Sequence, residues 1–192
     1  MMNTDADHLN QGAALQDQNV GTNQFLTFML GKEEYGVDIL NVQEIRSWES
    51  ATSIPNTPDY VLGVINLRGL VVPIIDLRKR FAMSKAEFGP ATIIVIVRLQ
   101  DQSKTSKTIG MVVDEVSEVY NITGEDIGEM PDLGSVVGTE FIKGVANVNE
   151  KMVIILNIDS LINTGVLGDD NAGFPVVDEK SETGKDQTAS AE

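Results

Sequence analysis

Chemistry in a protein starts from nucleophiles, bases, ligands and cradles, and this chain offers few of them. It has no cysteine and a single histidine, His8, flanked by Thr4, Asp5, Asp7, Asn10 and Gln11. A thiolate nucleophile, a disulfide framework and a Cys/His metal cage are therefore excluded, and a histidine-dependent triad cannot be assembled in a folded core. The acidic neighbours Asp114 and Glu115, and Glu125 and Asp126, could attract a divalent ion. They lack the spacing of a calcium loop, so they are read as surface charge. Gly31-Lys32 and Gly184-Lys185 lack the preceding glycine and the following Ser or Thr of a phosphate-binding loop. The basic run Arg78, Lys79, Arg80 carries no interleaved aromatic residue for base stacking, and is expected to be the solvated face of a short helix. Asn66-Leu67-Arg68-Gly69 reads as a hairpin tip with Gly69 at positive φ. Glu44 and Arg46 in VQEIRSW fit an exposed strand face.

The elements that would position these residues are short. Apolar, β-branched runs bounded by Gly, Pro, Asn and Asp occur at 25–30, 61–67, 70–75, 92–97, 108–113, 119–122 and 152–158. Their length and their Val and Ile content predict strands, and strands at this spacing predict an all-β fold of barrels or sandwiches. Pro73 calls for an edge, a bulge or a strand end, because it has no N–H to donate. Two short helices are predicted, over 75–81 capped by Asp76 and over 157–163 capped by Asn157 or Asp159. The segment 122–144 is punctuated by Gly and Pro and has neither period. Its apolar Ile122, Ile127, Met130, Leu133 and Val136 suggest a loop that meets a partner, with Leu133 the foremost candidate and a fold back onto the barrel the alternative.

The two strand-then-helix units belong to an internal repeat. Setting Gly63 on Gly144 matches Val64 with Val145, Asn66 with Asn147, Val72 with Val153 and Ile74 with Ile155. Setting Gly36 on Gly110 matches Val42 with Val116 and Glu44 with Glu118. Two β lobes are expected, at about 24–84 and 90–165, each with a core too small to be very stable alone.

With 192 residues there is room for one domain or two small lobes. The 14 basic and 29 acidic residues leave a net charge of −15, which repels nucleic acid and anionic lipid. The segments 1–23 and 168–192 are polar and acidic, and are expected to be disordered tails; the region between them carries about −7 of the charge. No apolar run approaches the ~18 residues of a membrane span, and the first residues have no basic or apolar region of a secretory signal. A cytoplasmic location is expected.

The series EEYGVDILNVQEIR, IPNTPDYVLGVINLRGLVVPIIDLRKRF, IGMVVDEVSEV and FIKGV followed by MVIILNIDSLI resembles the bacterial chemotaxis coupling family CheW, in order, from Phe25 to Ile162. The loop at 101–107 is longer than that resemblance leads one to expect. The resemblance implies two five-stranded SH3-like barrels packed side by side. It also implies a noncatalytic cytoplasmic scaffold, without cofactor or metal, recruited to membrane-associated receptor arrays. Its partners would be the regulatory domain of the histidine kinase CheA, the cytoplasmic tip of methyl-accepting chemoreceptors and further CheW copies in array rings. Carried over by position, a receptor groove would involve Val42, Glu44, Gly63, Arg68, Gly69, Thr92, Ile93, Gly110, Val116 and Val119. Kinase contacts would come from Ile39, Leu40 and Leu133. Glu44 would hold the Arg68 guanidinium in a two-toothed grip. The alternatives are a CheW-like adaptor of another sensory array, such as one for surface motility, and a small-ligand-binding barrel using Asp114, Glu115 and Arg68.

Overall fold

In the computed structural model, residues 22–83, 87–100, 106–130 and 139–162 are described. Residues 1–21 of the first predicted tail, all of the second, Leu133 and most of the 101–107 loop lie outside them, whereas Thr22 and Asn23, placed in the first tail by the sequence reading, begin a strand. The chain forms β1 (Thr22–Leu30), β2 (Glu33–Asp38), β3 (Val42–Ser47), β4 (Val61–Leu67), β5 (Leu70–Asp76) and α1 (Leu77–Arg80). It continues through β6 (Ile93–Gln100), β7 (Ser106–Val113), β8 (Glu115–Thr123), β9 (Ile127–Gly128), β10 (Ile142–Val148), β11 (Lys151–Leu156) and α2 (Ile158–Ser160). Every predicted strand is present. The strands absent from the predicted set, β2, β3, β9 and β10, are short or mix charged and apolar residues, so no apolar run marks them. Both helices are shorter than predicted, and Asp76 and Asn157 cap them by accepting from the N–H groups of Arg78 and Ser160.

The hairpin tips follow their turn chemistry. Arg68 and Gly69 both have positive φ, as do Asn149 and Glu150, which is what a two-residue loop matching the strand twist requires. The Asn66 side chain accepts a hydrogen bond from the Gly69 N–H at 2.8 Å and closes the first tip.

The pairing of the two repeats corrects the expectation of consecutive lobes. One sheet runs β8-β1-β2-β11-β10-β9 and the other β3-β6-β7-β5-β4. The first hairpin of each repeat therefore joins the barrel built by the rest of the other repeat, through parallel contacts of β2 with β11 and of β7 with β5. Strand β8 turns through Gly124–Asp126 into β9, so the two ends of the first sheet are one bent segment. In the second sheet Thr52, downstream of β3, bridges to Val64 of β4. Both sheets thus close as barrels of five segments.

The exchange explains why β1 and β6 are apolar on both faces. Ile94 and Ile96 fill the core of the second barrel with Ile65, Val72, Ile74 and Val112, while Phe25 fills the first with Tyr120, Ile122, Val153 and Ile155. The alternate residues Leu26, Phe28, Val95 and Val97 form a third, larger core between the barrels with Val37, Met111, Phe141 and Leu161. The inter-barrel core is continuous with four strands that have crossed over, so the two halves fold as one unit.

Candidate functional site

The exposed edge of the second barrel carries a small ion network. Strand β3 alternates half-buried and exposed residues, and a bulge against β6 falls between Val42 and Glu44. The Glu44 carboxylate accepts a hydrogen bond from Arg68 Nη2 at 3.0 Å, and its other oxygen lies 3.7 Å from Arg46 Nη1. Arg46 in turn meets Glu49 at 2.9 Å. The expected pair between Glu44 and Arg68 is therefore present, with one tooth instead of two, because Glu44 is shared between two guanidiniums. The Arg68 side chain remains 80% exposed. A pair this open contributes about 0 to 1 kcal/mol to folding and serves mainly to orient the guanidinium.

The other carried-over positions divide by depth. Val42, Ile93 and Val116 pack partly against the inter-barrel core, and Val119 is exposed. Its repeat equivalent, Ile45, is exposed to the same degree, 45% against 43%, so the two residues stand at matching places on the two barrels; repeat alignment could have found Ile45. Gly63, Thr92 and Gly110 are buried. A Cβ on Gly63 would stand 2.1 Å from the Thr52 carbonyl oxygen, at a φ of +135, and one on Gly110 would stand 2.4 Å from Ile74. The Thr92 hydroxyl accepts from the Gly89 N–H at 2.8 Å. These three buried residues present no side chain at the surface.

Ile39 and Leu40 occupy a short turn after β2, where the Asp38 side chain accepts from the Leu40 N–H at 3.0 Å. Leu40 is 88% exposed, the most exposed of the large apolar residues described.

The sequence reading missed the strongest polar cluster. Arg78, expected on a solvated face, is 2% exposed. Its Nε and Nη2 donate to the two oxygens of Asp76 at 3.0 and 2.9 Å, and its Nη1 donates to Asp114 at 2.6 Å and to the Glu87 carbonyl at 2.9 Å. Burial lowers the tendency of this guanidinium to stay charged, but the hydrogen bonds and charges of Asp76 and Asp114 outweigh it and hold its pKa above the ordinary value. The other Asp114 oxygen accepts from the Gly31 N–H in the β1–β2 turn. One buried cation thereby ties α1 to the β7–β8 corner and, through Asp114, to the first barrel. Beside it, the Phe88 ring stacks on Trp48 at 4.4 Å with Arg78 5.1 Å from its centroid. Arg80 is likewise held between the rings of Tyr60 and Phe141. The only sequence signal for this cluster was Asp76 two residues before Arg78; the remaining partners are distant in the chain.

The small-ligand alternative loses its site. Asp114 is engaged by Arg78 and Gly31, Glu115 is exposed, and Arg68 is turned to Glu44 on a different hairpin, so the three do not converge. Among the described residues no group of three His, Cys, Asp or Glu is placed to hold a metal ion, and no helix is long and apolar enough to cross a membrane.

The comparisons with known proteins agree with this geometry. The model of the CheW-like domain matches residues 24–165. The chain belongs to the CheW family. A chemotaxis protein CheW of Klebsiella aerogenes is 41% identical over 78% of this chain and 87% of its own length. Protein FrzA of Myxococcus xanthus is 32% identical over 79% of this chain and 92% of its own. The crystal structure of the scaffolding protein TtCheW from Thermoanaerobacter tengcongensis superposes with a TM-score of 0.63 at 36% identity, covering 71% of this chain and 89% of that one. The mostly β fold with its two closed sheets is thus the fold of a CheW family scaffold.

Proposed function

We propose that this protein is a noncatalytic scaffold of bacterial chemotaxis that couples chemoreceptors to the histidine kinase CheA in cytoplasmic, membrane-associated arrays. The observation that carries the reading is its 41% identity, across nearly the whole length of the relative, to a chemotaxis CheW protein. The site chemistry supports it. The polar groups pair with each other instead of converging on a cavity, and what remains exposed is a set of apolar and oriented charged residues on rigid strands, suited to protein contacts. Glu44, Arg68 and Gly69 on one barrel, with Val42, Val116 and Val119 along the junction, form the receptor-facing surface; Gly63, Thr92, Ile93 and Gly110 support it. Ile39, Leu40 and Leu133 meet the regulatory domain of CheA, and further copies of the scaffold complete array rings.

The test is co-sedimentation of the purified chain with a receptor cytoplasmic fragment and, separately, with the CheA regulatory domain. Saturable binding to both is expected. Binding to neither, with the protein folded, would refute the assignment. An adaptor of another sensory array is the second reading, and the 41% identity to a chemotaxis protein CheW over 87% of that protein's length favours chemotaxis.

A further inference from the structure

The ion network on β3 belongs to one barrel only. The repeat alignment sets Glu44 on Glu118, Arg46 on Tyr120, Glu49 on Thr123 and Arg68 on Asn149, so the second repeat keeps one carboxylate and lacks both guanidiniums and the other acid. Tyr120 instead fills the core of its barrel with Phe25 and Ile122. A barrel of this kind therefore closes without the network, and the reason for the network lies outside the fold.

Side chains two apart on a strand share a face, and Glu44 and Arg46 stand together on the half-buried face of β3. The strand ends at Ser47, where the Trp48 N–H donates to the Thr92 carbonyl at 3.0 Å and the Trp48 ring stacks on Phe88. Past this anchor the chain no longer alternates as a strand, and Glu49 meets Arg46 from the other side. Arg46 thus has a carboxylate to either side. It lies at hydrogen-bonding distance from Glu49, 2.9 Å, and beyond it from Glu44, 3.7 Å. Glu44 keeps one close partner, Arg68 Nη2 at 3.0 Å, in the only ion pair that Arg68 makes among the described residues. Arg46 is 31% exposed and two residues from Glu44, whereas Arg68 is 80% exposed on a hairpin tip. With less side-chain freedom to lose, Arg46 would win an open contest for the Glu44 carboxylate.

We propose that Arg46 and Glu49 are positioning residues for Arg68: the Glu49 carboxylate draws Arg46 off Glu44, which leaves Glu44 free to hold the Arg68 guanidinium toward a receptor. The effect on the receptor rests on the proposed function; the exchange of ion pairs does not.

The test is a cycle of Glu49→Gln and Arg46→Ala in the full chain. Glu49→Gln should let Arg46 take Glu44 in a two-toothed grip and release Arg68, with a loss of receptor-fragment affinity of up to about five-fold, the contribution of one exposed pair. Adding Arg46→Ala should restore the parent affinity, because the competitor is gone. NMR of the guanidinium groups reads the pair directly: rotation of the Arg68 guanidinium should quicken in Glu49→Gln and slow again in the double variant. Glu125→Gln, an exposed acid on the other barrel, should change neither readout. An affinity loss in Glu49→Gln that persists in the double variant would overturn the proposal, since Glu49 would then touch the receptor itself. Arg68 rotation indifferent to Glu49→Gln would overturn it as well. Faster Arg68 rotation with unchanged affinity would uphold the exchange of ion pairs and overturn the receptor contact of Arg68 instead.

Discussion

Replacing Arg78 by methionine tests whether the buried cation holds the two barrels together. The substitution keeps most of the aliphatic volume and removes four side-chain hydrogen bonds, three of them to carboxylates. Asp76, fully buried, would keep one charge-compensating contact, the N–H of residue 78 to its Oδ1 at 3.0 Å. Two carboxylates that now share a cation would be left facing the space it vacated. Breaking a buried pair by removing one partner costs about 3 to 5 kcal/mol, against a total stability of about 5 to 15 kcal/mol for a domain. At roughly 2 to 4 °C per kcal/mol for a chain of this size, the midpoint should fall by roughly 6 to 20 °C. Urea unfolding followed both by far-UV circular dichroism and by the single tryptophan, Trp48, measures the loss, because Trp48 stacks on Phe88 beside the substituted side chain. The two probes should report one transition in the parent protein, as the shared inter-barrel core demands. Asp114→Asn should cost less, since Asp114 is partly exposed, and in the double variant its effect should largely vanish. A loss below about 1 kcal/mol in Arg78→Met, or additive losses in the pair, would show that the cluster does not couple the barrels.

Four further outcomes follow from the same structure. Arg68→Ala and Glu44→Ala should each weaken binding to a receptor fragment, non-additively, while moving the thermal midpoint by no more than a few degrees; additive losses of affinity would mean the residues act independently. Gly63→Ala should destabilise more than Gly110→Ala, because the new methyl group meets backbone at Thr52 in the first case and a side-chain end at Ile74 in the second, where overpacking costs about 1 to 3 kcal/mol; denaturant midpoints decide the order. A fragment of residues 24–84 should show no cooperative unfolding alone, but should assemble when co-expressed with 87–192, since β1 and β2 take their partners β8 and β11 from the second fragment. Burial, reinforced by Glu33, raises the Tyr35 pKa, so its contribution to stability is complete below the unfolded value of about 10 and is lost as pH rises through the folded value; Tyr35→Phe should flatten the alkaline fall in unfolding midpoint.

Much of the local structure follows from nearest neighbours in the chain. The strands were legible where Val and Ile run together, the tip at Arg68 and Gly69 from the need for positive φ, and the cap at Asp76 from its place ahead of an apolar period. The internal repeat also marked Gly63 and Gly144, which occupy matching bulges in β4 and β10. The position of Arg68 opposite Glu44 was legible only through family resemblance, because the two are 24 residues apart and meet across the barrel edge.

Tertiary structure decided which hairpin joins which barrel. Two repeats with similar strands present nearly the same hydrogen-bonding edges and apolar faces, so pairing within a repeat and pairing across repeats satisfy the local pattern equally well. The crossed arrangement buries both faces of β1 and β6 and merges two small cores through a third. The fate of Arg78 was hidden for the same reason. A basic residue on a short helix is ordinarily solvated, and its burial became tolerable only when the fold brought Asp114, 36 residues away, to the cation that Asp76 had already caught.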